Sequence, residues 1–269
     1  MDELSYFKVI SQYKLMAKKE IGQNFLVDPN ICRNIVKLIP NNTKDNVLEI
    51  GCGAGSLTYF LKDLENEVTS IDIDESMLLK VKEDFSSYPN LKIEYGNAAD
   101  YDYSPYQIII GNLPYYITSL IIEKLIQRGR ACKFAIFMVQ KEVLNRLLAK
   151  PNSKDYGPLN ILISLVGNIN KEFNVSRNCF VPIPNVDSSV FSITFNDGID
   201  RDKCIGIYSL VCQLFLERRK TLANNLKKVV DSSLVEKIFK ELEIDKNIRP
   251  EQVSPDMFRN IYELIHKNI

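Results

Sequence analysis

The chain has 269 residues, 45% of them hydrophobic, and its 34 Lys and Arg balance 34 Asp and Glu, which allows one large domain or one plus a small appendage. No apolar run approaches the roughly 20 residues of a membrane span, and the N-terminal MDELSYFKVISQYKLMAKKE lacks the apolar centre of a secretory signal, so an intracellular, cytoplasmic protein is expected. Six cysteines without a CxxC pair and a single histidine, His266, argue against a zinc site and against catalysis by a histidine base.

In chain order, DPNICRNIVKLI (28–39) predicts a helix, with Asp28 as N-cap, Pro29 at the first helical position and Ile31, Ile35, Leu38 and Ile39 on one face. NVLEI (46–50) predicts a buried strand, GCGAG (51–55) a glycine turn and SLTYFLKDL (56–64) a helix. EVTSIDID (67–74) reads as a strand ending in acids, ESMLLKVKEDF (75–85) as a helix, and LKIEYGNAAD (91–100) as a strand leaving into a polar loop. YQIII (106–110) is a fourth strand, TSLIIEKLIQRG (118–129) a helix, KFAIFMVQ (133–140) a strand and KEVLNRLLAK (141–150) a helix, while SSVFSITF (188–195) alternates like a late antiparallel or edge strand. This alternation predicts an α/β, Rossmann-like sheet, mostly parallel, with helices on both faces. Residues 198–269 carry helical patterns alone, so 1–197 and 198–269 are expected to form a larger α/β domain and a small helical one.

Charge is unevenly spread. Residues 41–106 hold 5 Lys and Arg against 13 Asp and Glu, whereas residues 124–154 hold 8 against the one acid Glu142. The second stretch is either a basic face or an ordinary solvated helix surface.

Three strand ends carry candidate chemistry. Gly51, Gly53 and Gly55 allow a tight turn and close backbone approach to a ligand, and Asp72 ends the next strand, placed to accept from the hydroxyls of a ribose. The GxxG half of the dinucleotide fingerprint is missing, which favours an adenosine-type cofactor without pyrophosphate, such as S-adenosylmethionine. Asn97 ends the third strand and either reads an adenine edge or simply shapes its loop. GNLPYYIT (111–118) leaves the fourth strand at the same edge. It is either a Pro-Tyr turn or a holder for a planar base. In the second case the Asn112 amide oxygen and Leu113 carbonyl accept from an exocyclic amino group, Pro114 stiffens the loop and Tyr115 stacks.

These motifs resemble the ribosomal RNA adenine N6,N6-dimethyltransferase family, which includes KsgA-type and Erm-type enzymes. The resemblance runs over nearly the whole chain through GQNFLVD (22–28), VLEIGCGAGSLT (47–58), GNLPYYITS (111–119), MVQKEVLNRLLAKPNSKDYGPLN (138–160), FVPIPNVDSSV (180–190) and FLERRKTLANNL (215–226). It implies that Asn24 and Leu26 close a cofactor site, that Gly51 and Gly53 flank the methionine part, that Asp72 binds the ribose and that Asn97 and Ala98 meet the adenine. It also implies that Asn112, Leu113, Pro114 and Tyr115 hold the target base and that Phe180 covers its other face. Asn97 departs from the family's usual Asp. An Asp only accepts, whereas an Asn also donates.

The implied activity is dimethylation of two adjacent adenosines in the 3′-terminal hairpin loop of small-subunit rRNA, within a pre-30S-like particle, by a metal-free monomer with a role in small-subunit biogenesis. Arg128, Arg130, Lys141, Arg146 and Lys150, with Arg218, Arg219 and Lys220 of RRKT, are expected to grip RNA phosphates, which position RNA without reading its sequence. Two other readings stay open: an Erm-type enzyme acting on large-subunit rRNA, and a non-catalytic assembly or transcription factor on the same scaffold. The incomplete GxGxxG and the NLPY loop disfavour a nicotinamide-dependent oxidoreductase.

Overall fold

A computed structural model describes residues 2–11, 23–40, 44–114 and 117–267. The chain divides into two compact units, residues 1–144 with 169–195 and residues 145–168 with 196–269. Among the described residues no helix is long and apolar enough to cross a membrane.

The first unit is built on a seven-stranded sheet. Strands β2 (Val47–Ile50), β3 (Val68–Asp72), β5 (Ile108–Asn112) and β6 (Phe134–Gln140) form its centre. β2 and β3 are buried at every position and β5 at every position before Asn112, the mark of parallel strands covered on both faces. With β4 (Leu91–Tyr95), β9 (Ser188–Phe195) and β7 (Gly167–Val175), the order is β4-β3-β2-β5-β6-β9-β7. β4 through β6 pair in parallel, and β9 pairs antiparallel with β6.

The topology creates the site. From β2 the chain steps outward through β3 to β4, then returns to place β5 on the other side of β2. Open α/β sheets bind ligands outside the carboxyl ends of the strands where the order reverses in this way. Helices α2 (Pro29–Val36), α3 (Thr58–Leu61), α4 (Glu75–Asp84), α5 (Thr118–Arg128) and α6 (Lys141–Leu147) follow the expected order. Asp28 caps α2 by accepting from the N–H groups of Asn30 and Ile31. Asp74 caps α4 from the Ser76 N–H.

Five elements lie outside the sequence reading. Helix α1 (Glu3–Ser11) buries Tyr6, Phe7 and Ile10. Two-residue strands β1 (Phe25–Leu26) and β8 (Phe180–Val181) pair antiparallel, Leu26 facing Phe180. β7, GNINKEFNV, escapes pattern recognition because only its two end residues are buried, so an edge strand reads as polar loop. Helix α7 (Pro158–Val166) is apolar on nearly every side and buries Ile161, Leu162, Ile163, Leu165 and Val166.

The second unit joins α7 to α8 (Arg201–Phe215), α9 (Leu222–Leu226), α10 (Ser232–Glu241) and α11 (Pro255–Lys267). The expected boundary at 198 therefore differs from the observed division. Residues 145–168 group with the C-terminal helices because α7 needs α8 and α11 to cover its apolar surface. The 151–157 loop is fixed within the same unit: Tyr156 Oη donates to the Val253 carbonyl (2.9 Å) and the Asn152 N–H to the Glu251 carbonyl (2.8 Å).

Gly111 marks a close backbone approach in the central sheet. A Cβ there would stand 2.6 Å from the Ile50 carbonyl oxygen, a backbone atom of the paired strand β2. Gly111→Ala is expected to destabilise the protein by about 2 kcal/mol, lowering the melting temperature by roughly 4–8 °C in differential scanning calorimetry; an unchanged melting temperature would disprove the close approach.

Candidate functional site

A cavity of about 330 Å³ opens at the carboxyl ends of β2, β3 and β5 in the first unit. Its lining includes Asn24, Leu26, Gly51, Gly53, Asp72, Asn97, Ala98, Asn112, Leu113 and Pro114. The structure thus gathers ten of the residues singled out from the sequence around one space, although they span 91 positions of chain from 24 to 114.

Local bonds explain why the turn holds its shape. The N–H groups of Gly51 and Cys52 both point to the Ile71 carbonyl (2.8 and 3.1 Å), and the Gly55 N–H closes a turn on the Cys52 carbonyl (2.7 Å). Gly51, Gly53 and Gly55 all have positive φ, a region costly for side-chain-bearing residues. At Gly53 a Cβ would also press on the Phe25 ring at 3.4 Å. The N-terminal strand is fastened to this turn by Ser56, whose hydroxyl donates to the Leu26 carbonyl (2.7 Å).

Asp72 joins the turn to β3. One carboxylate oxygen accepts from the Gly53 N–H at 2.7 Å and the other from the Asp74 N–H at 2.9 Å. A carboxylate offers about four lone-pair positions, so each oxygen keeps one for a ligand, which fits a pair of vicinal hydroxyls. Burial pushes the Asp72 carboxyl above its ordinary range, against the lowering effect of these two backbone bonds.

Asn112 is oriented by its own backbone surroundings. Its Nδ2 donates to the Asn24 carbonyl at 3.3 Å, which leaves the amide oxygen as the acceptor toward the cavity. The Leu113 N–H is anchored to the Met138 carbonyl (3.0 Å). The Pro114 carbonyl is taken up by the turn into α5, accepting from the Ile117 N–H (3.3 Å) and the Thr118 hydroxyl (3.2 Å). Tyr115, assigned to stacking, and its neighbour Tyr116 lie outside the described residues, as does Gly22.

Two further candidates take the following places. Phe180 is not at the cavity. It is 1% exposed, pairs with Leu26 through the β1–β8 ladder and belongs to the apolar core, so its ring is used in packing. Asn97 lines the cavity, but its amide oxygen accepts from the Ala99 N–H (3.0 Å) and its Nδ2 reaches Asp100 (3.4 Å). The side chain shapes its loop and presents a mixed donor and acceptor edge.

The cationic residues separate by unit. Arg128, Arg130 and Lys141 are exposed on the first unit, and Arg146, Lys150, Arg219 and Lys220 on the second. Arg218 is half-buried and works inside its own unit. It donates to the Ser153 carbonyl (3.1 Å) and faces the Glu251 carboxylate at 3.8 Å, fastening the 151–157 loop. Lys220 and Lys228 converge on Glu217, each at 2.7 Å, and hold its carboxyl down at about 2.

The main residue missed by sequence reasoning is Glu49. It is 1% exposed, lines the cavity and accepts at one oxygen from the Thr58 and Ser70 hydroxyls (2.7 and 2.6 Å). Its signal was present as a lone acid inside the apolar strand VLEI, directly before the glycine turn. Burial raises its carboxyl to about 7, partly offset by the two hydroxyl bonds, and nearby Asp72 raises it further. Among the described residues no group of three or more His, Cys, Asp or Glu is placed to hold a metal ion. The vicinal acceptors at Asp72, the glycine turn and the acid at Glu49 together suit a nucleoside carrying a cationic, hydrogen-bond-donating tail.

Comparison with known proteins gives a consistent picture. A family model described as "Ribosomal RNA adenine dimethylase" matches residues 14–267. The "Ribosomal RNA small subunit methyltransferase A" of Mycoplasma mobile is 37% identical over 249 residues, covering 92% of this chain and 98% of that protein. A solved dimethyladenosine transferase from Plasmodium falciparum superposes with a TM-score of 0.77 at 28% identity, covering 90% of this chain and 98% of that one. The 23S rRNA methyltransferase ErmE shares the fold, with a TM-score of 0.69 at 22% identity over 90% of this chain and all of that one.

Glu49 generates a stability prediction. Its folded-state value of about 7 lies above the ordinary 4.5, so between these pH values the native state keeps a proton that the unfolded chain has released. Its favourable contribution is complete below about pH 4.5 and is lost as pH rises toward 7. Urea unfolding of the wild type is expected to lose stability across that window relative to Glu49→Gln, whose profile is flatter; identical slopes would refute the assignment.

Proposed function

The chain belongs to the ribosomal RNA adenine dimethylase family, and on that premise we propose that it transfers methyl groups from S-adenosylmethionine to the N6 atoms of two adjacent adenosines in small-subunit rRNA. One observation carries the reading. A single cavity brings the adenosine-type features, Asp72 and the glycine turn, against the strand end that presents Asn112, Leu113 and Pro114.

When bound, S-adenosylmethionine supplies an electrophilic methyl group on a positively charged sulfur. Asp72 accepts from the ribose hydroxyls with the lone pairs that Gly53 and Asp74 leave open. Buried Glu49 balances positive charge on the amino-acid side of the site. The adenine meets Asn97 and Ala98, and Asn97 offers its donor where the family's usual Asp offers none. On the substrate side, the Asn112 oxygen accepts an N6–H of the target adenine, its amide held in that sense by the Asn24 carbonyl. The Leu113 carbonyl accepts the second N6–H, and Tyr115 stacks the base.

An adenine N6 lone pair is delocalised into the ring. Accepting both N–H bonds with the nitrogen aimed at the methyl favours a pyramidal, more nucleophilic nitrogen, so the protein's contribution is positioning and electrostatics. As the N–C bond forms in place of the methyl–sulfur bond, whose electron pair stays on sulfur, the nitrogen gives up a proton to water. A base reached in this way must be out of its stack, which suits an unpaired loop near the 3′ end of the RNA, in a pre-30S-like particle in the cytoplasm. Exposed Arg128, Arg130 and Lys141 on one unit, and Arg146, Lys150, Arg219 and Lys220 on the other, supply phosphate contacts. Arg218 supports the second set by fastening the loop that follows Lys150 and carries Lys154.

The test is labelled-methyl transfer to small subunits lacking the modification, with large subunits in parallel, followed by mapping. Dimethylation of two adjacent small-subunit adenosines is expected; label confined to large-subunit RNA, or none at all, overturns the proposal. Asn112→Ala is expected to cut transfer at least about a hundredfold while leaving cofactor affinity, by calorimetry, within about threefold. Arg219→Ala is expected to lower the slope of log affinity against log salt for small-subunit RNA by about one; an unchanged slope removes that residue from the phosphate contacts.

A further inference from the structure

Helix α1 reaches the glycine turn from behind. Tyr6 is buried at 4% exposure, and its hydroxyl donates to the Ala54 carbonyl at 2.8 Å. Ala54 lines the cavity and Tyr6 does not, so this bond draws the Ala54 carbonyl away from the ligand space. The phenol occupies the place that a side chain at residue 55 would need: a Cβ on Gly55 would stand 2.5 Å from Tyr6 Oη and 2.9 Å from the Phe85 ring. The ring is gripped by a stack on Tyr59 (4.9 Å, 26°) and an edge contact with Phe85 (5.6 Å, 66°). The helix is tethered at its first turn by Glu3, both of whose oxygens lie 2.7 Å from Arg33 Nη2.

The Ala54–Gly55 peptide is held at its N–H by the Cys52 carbonyl (2.7 Å) and at its carbonyl by the Tyr6 hydroxyl. It lies between Gly53 and Gly55, and glycine adopts positive and negative φ with similar ease. Were this peptide to rotate, the carbonyl oxygen would point into a cavity that already holds the carboxylates of Glu49 and Asp72. We propose that Tyr6 is a positioning residue for the cofactor site, its hydroxyl holding the Ala54 carbonyl out of the cavity so that helix α1 forms part of the binding apparatus. The inference rests on the S-adenosyl reading of the cavity given above.

The test compares wild type, Tyr6→Phe and Ile10→Val. Tyr6→Phe keeps the ring and removes the hydroxyl. Ile10→Val trims the same buried face of α1 without reaching Ala54. Binding of S-adenosylmethionine and S-adenosylhomocysteine is measured by calorimetry well below each variant's melting temperature, alongside the steady-state split between KM and kcat. Tyr6→Phe is expected to weaken both ligands about tenfold, the effect of one lost hydrogen bond, and to raise the cofactor KM more than it lowers kcat, while Ile10→Val binds as wild type. If Tyr6→Phe does not fold, Arg33→Gln, which loosens the helix tether outside the cavity, is expected to weaken binding about threefold. Wild-type affinity in the folded variant, or equal weakening in Ile10→Val, overturns the role of Tyr6. A wild-type protein that binds neither ligand overturns the S-adenosyl reading and the inference with it.

Discussion

The bond between the Gly53 N–H and the Asp72 carboxylate is the contact on which the site depends. It fixes the glycine turn to the end of the neighbouring strand. It also fastens a carboxylate whose burial works against its own ionisation. A buried anion is tolerable when backbone donors surround it, and here the donors are Gly53 and Asp74. Without the turn, Asp72 would be a costly charge at the end of a buried strand. Without Asp72, the Gly53 N–H would lose its partner. The turn and the Asp72 carboxylate are therefore one structure, and the sheet order that places β3 beside β2 brings them together.

Glu49 extends the same logic inward. Two carboxyl groups share one cavity, Asp72 raises the Glu49 carboxyl, and the Thr58 and Ser70 hydroxyls donate to Glu49. Among the described residues no cationic side chain lines the cavity. Such a site disfavours phosphates and favours a ligand that brings its own positive charge. S-adenosylmethionine does so at both its amino group and its sulfur, while a dinucleotide brings negative charge. Electrostatics and the missing GxxG thus disfavour a pyrophosphate ligand on independent grounds.

Much of the sheet was legible because its central strands are covered on both faces and appear as continuous apolar runs, as in VLEI and FAIFMVQ. β7 was not legible because an edge strand with polar residues between buried ends has no alternating signal. α7 was missed for the opposite reason: PLNILISLV is apolar nearly all round and carries little amphipathic period. At the site, sequence position places Gly51, Gly53, Asp72 and Asn112 at one sheet edge, and the structure lines one cavity with them. Phe180 belongs to a motif whose strand pairs with Leu26, and its side chain lies in the apolar core and not in the cavity lining. Arg218 shows the corresponding limit for charge. RRKT reads as a basic cluster, but folding supplies Glu251 and the Ser153 carbonyl to its first arginine and Glu217 to its lysine.

The three glycines of GCGAG invite one explanation and require three. Gly51 runs beside the Asn112 carbonyl oxygen, which a Cβ there would meet at 3.6 Å, so its positive φ rather than crowding demands glycine. Gly53 exposes its N–H to Asp72 and leaves room for the Phe25 ring. Gly55 makes way for Tyr6 and Phe85 on the far side of the turn. Only the first two face the cavity. The spacing GxGxG therefore records two constraints from the ligand side and one from a helix some fifty residues earlier in the chain, and a substitution at the third glycine would act on the site through α1.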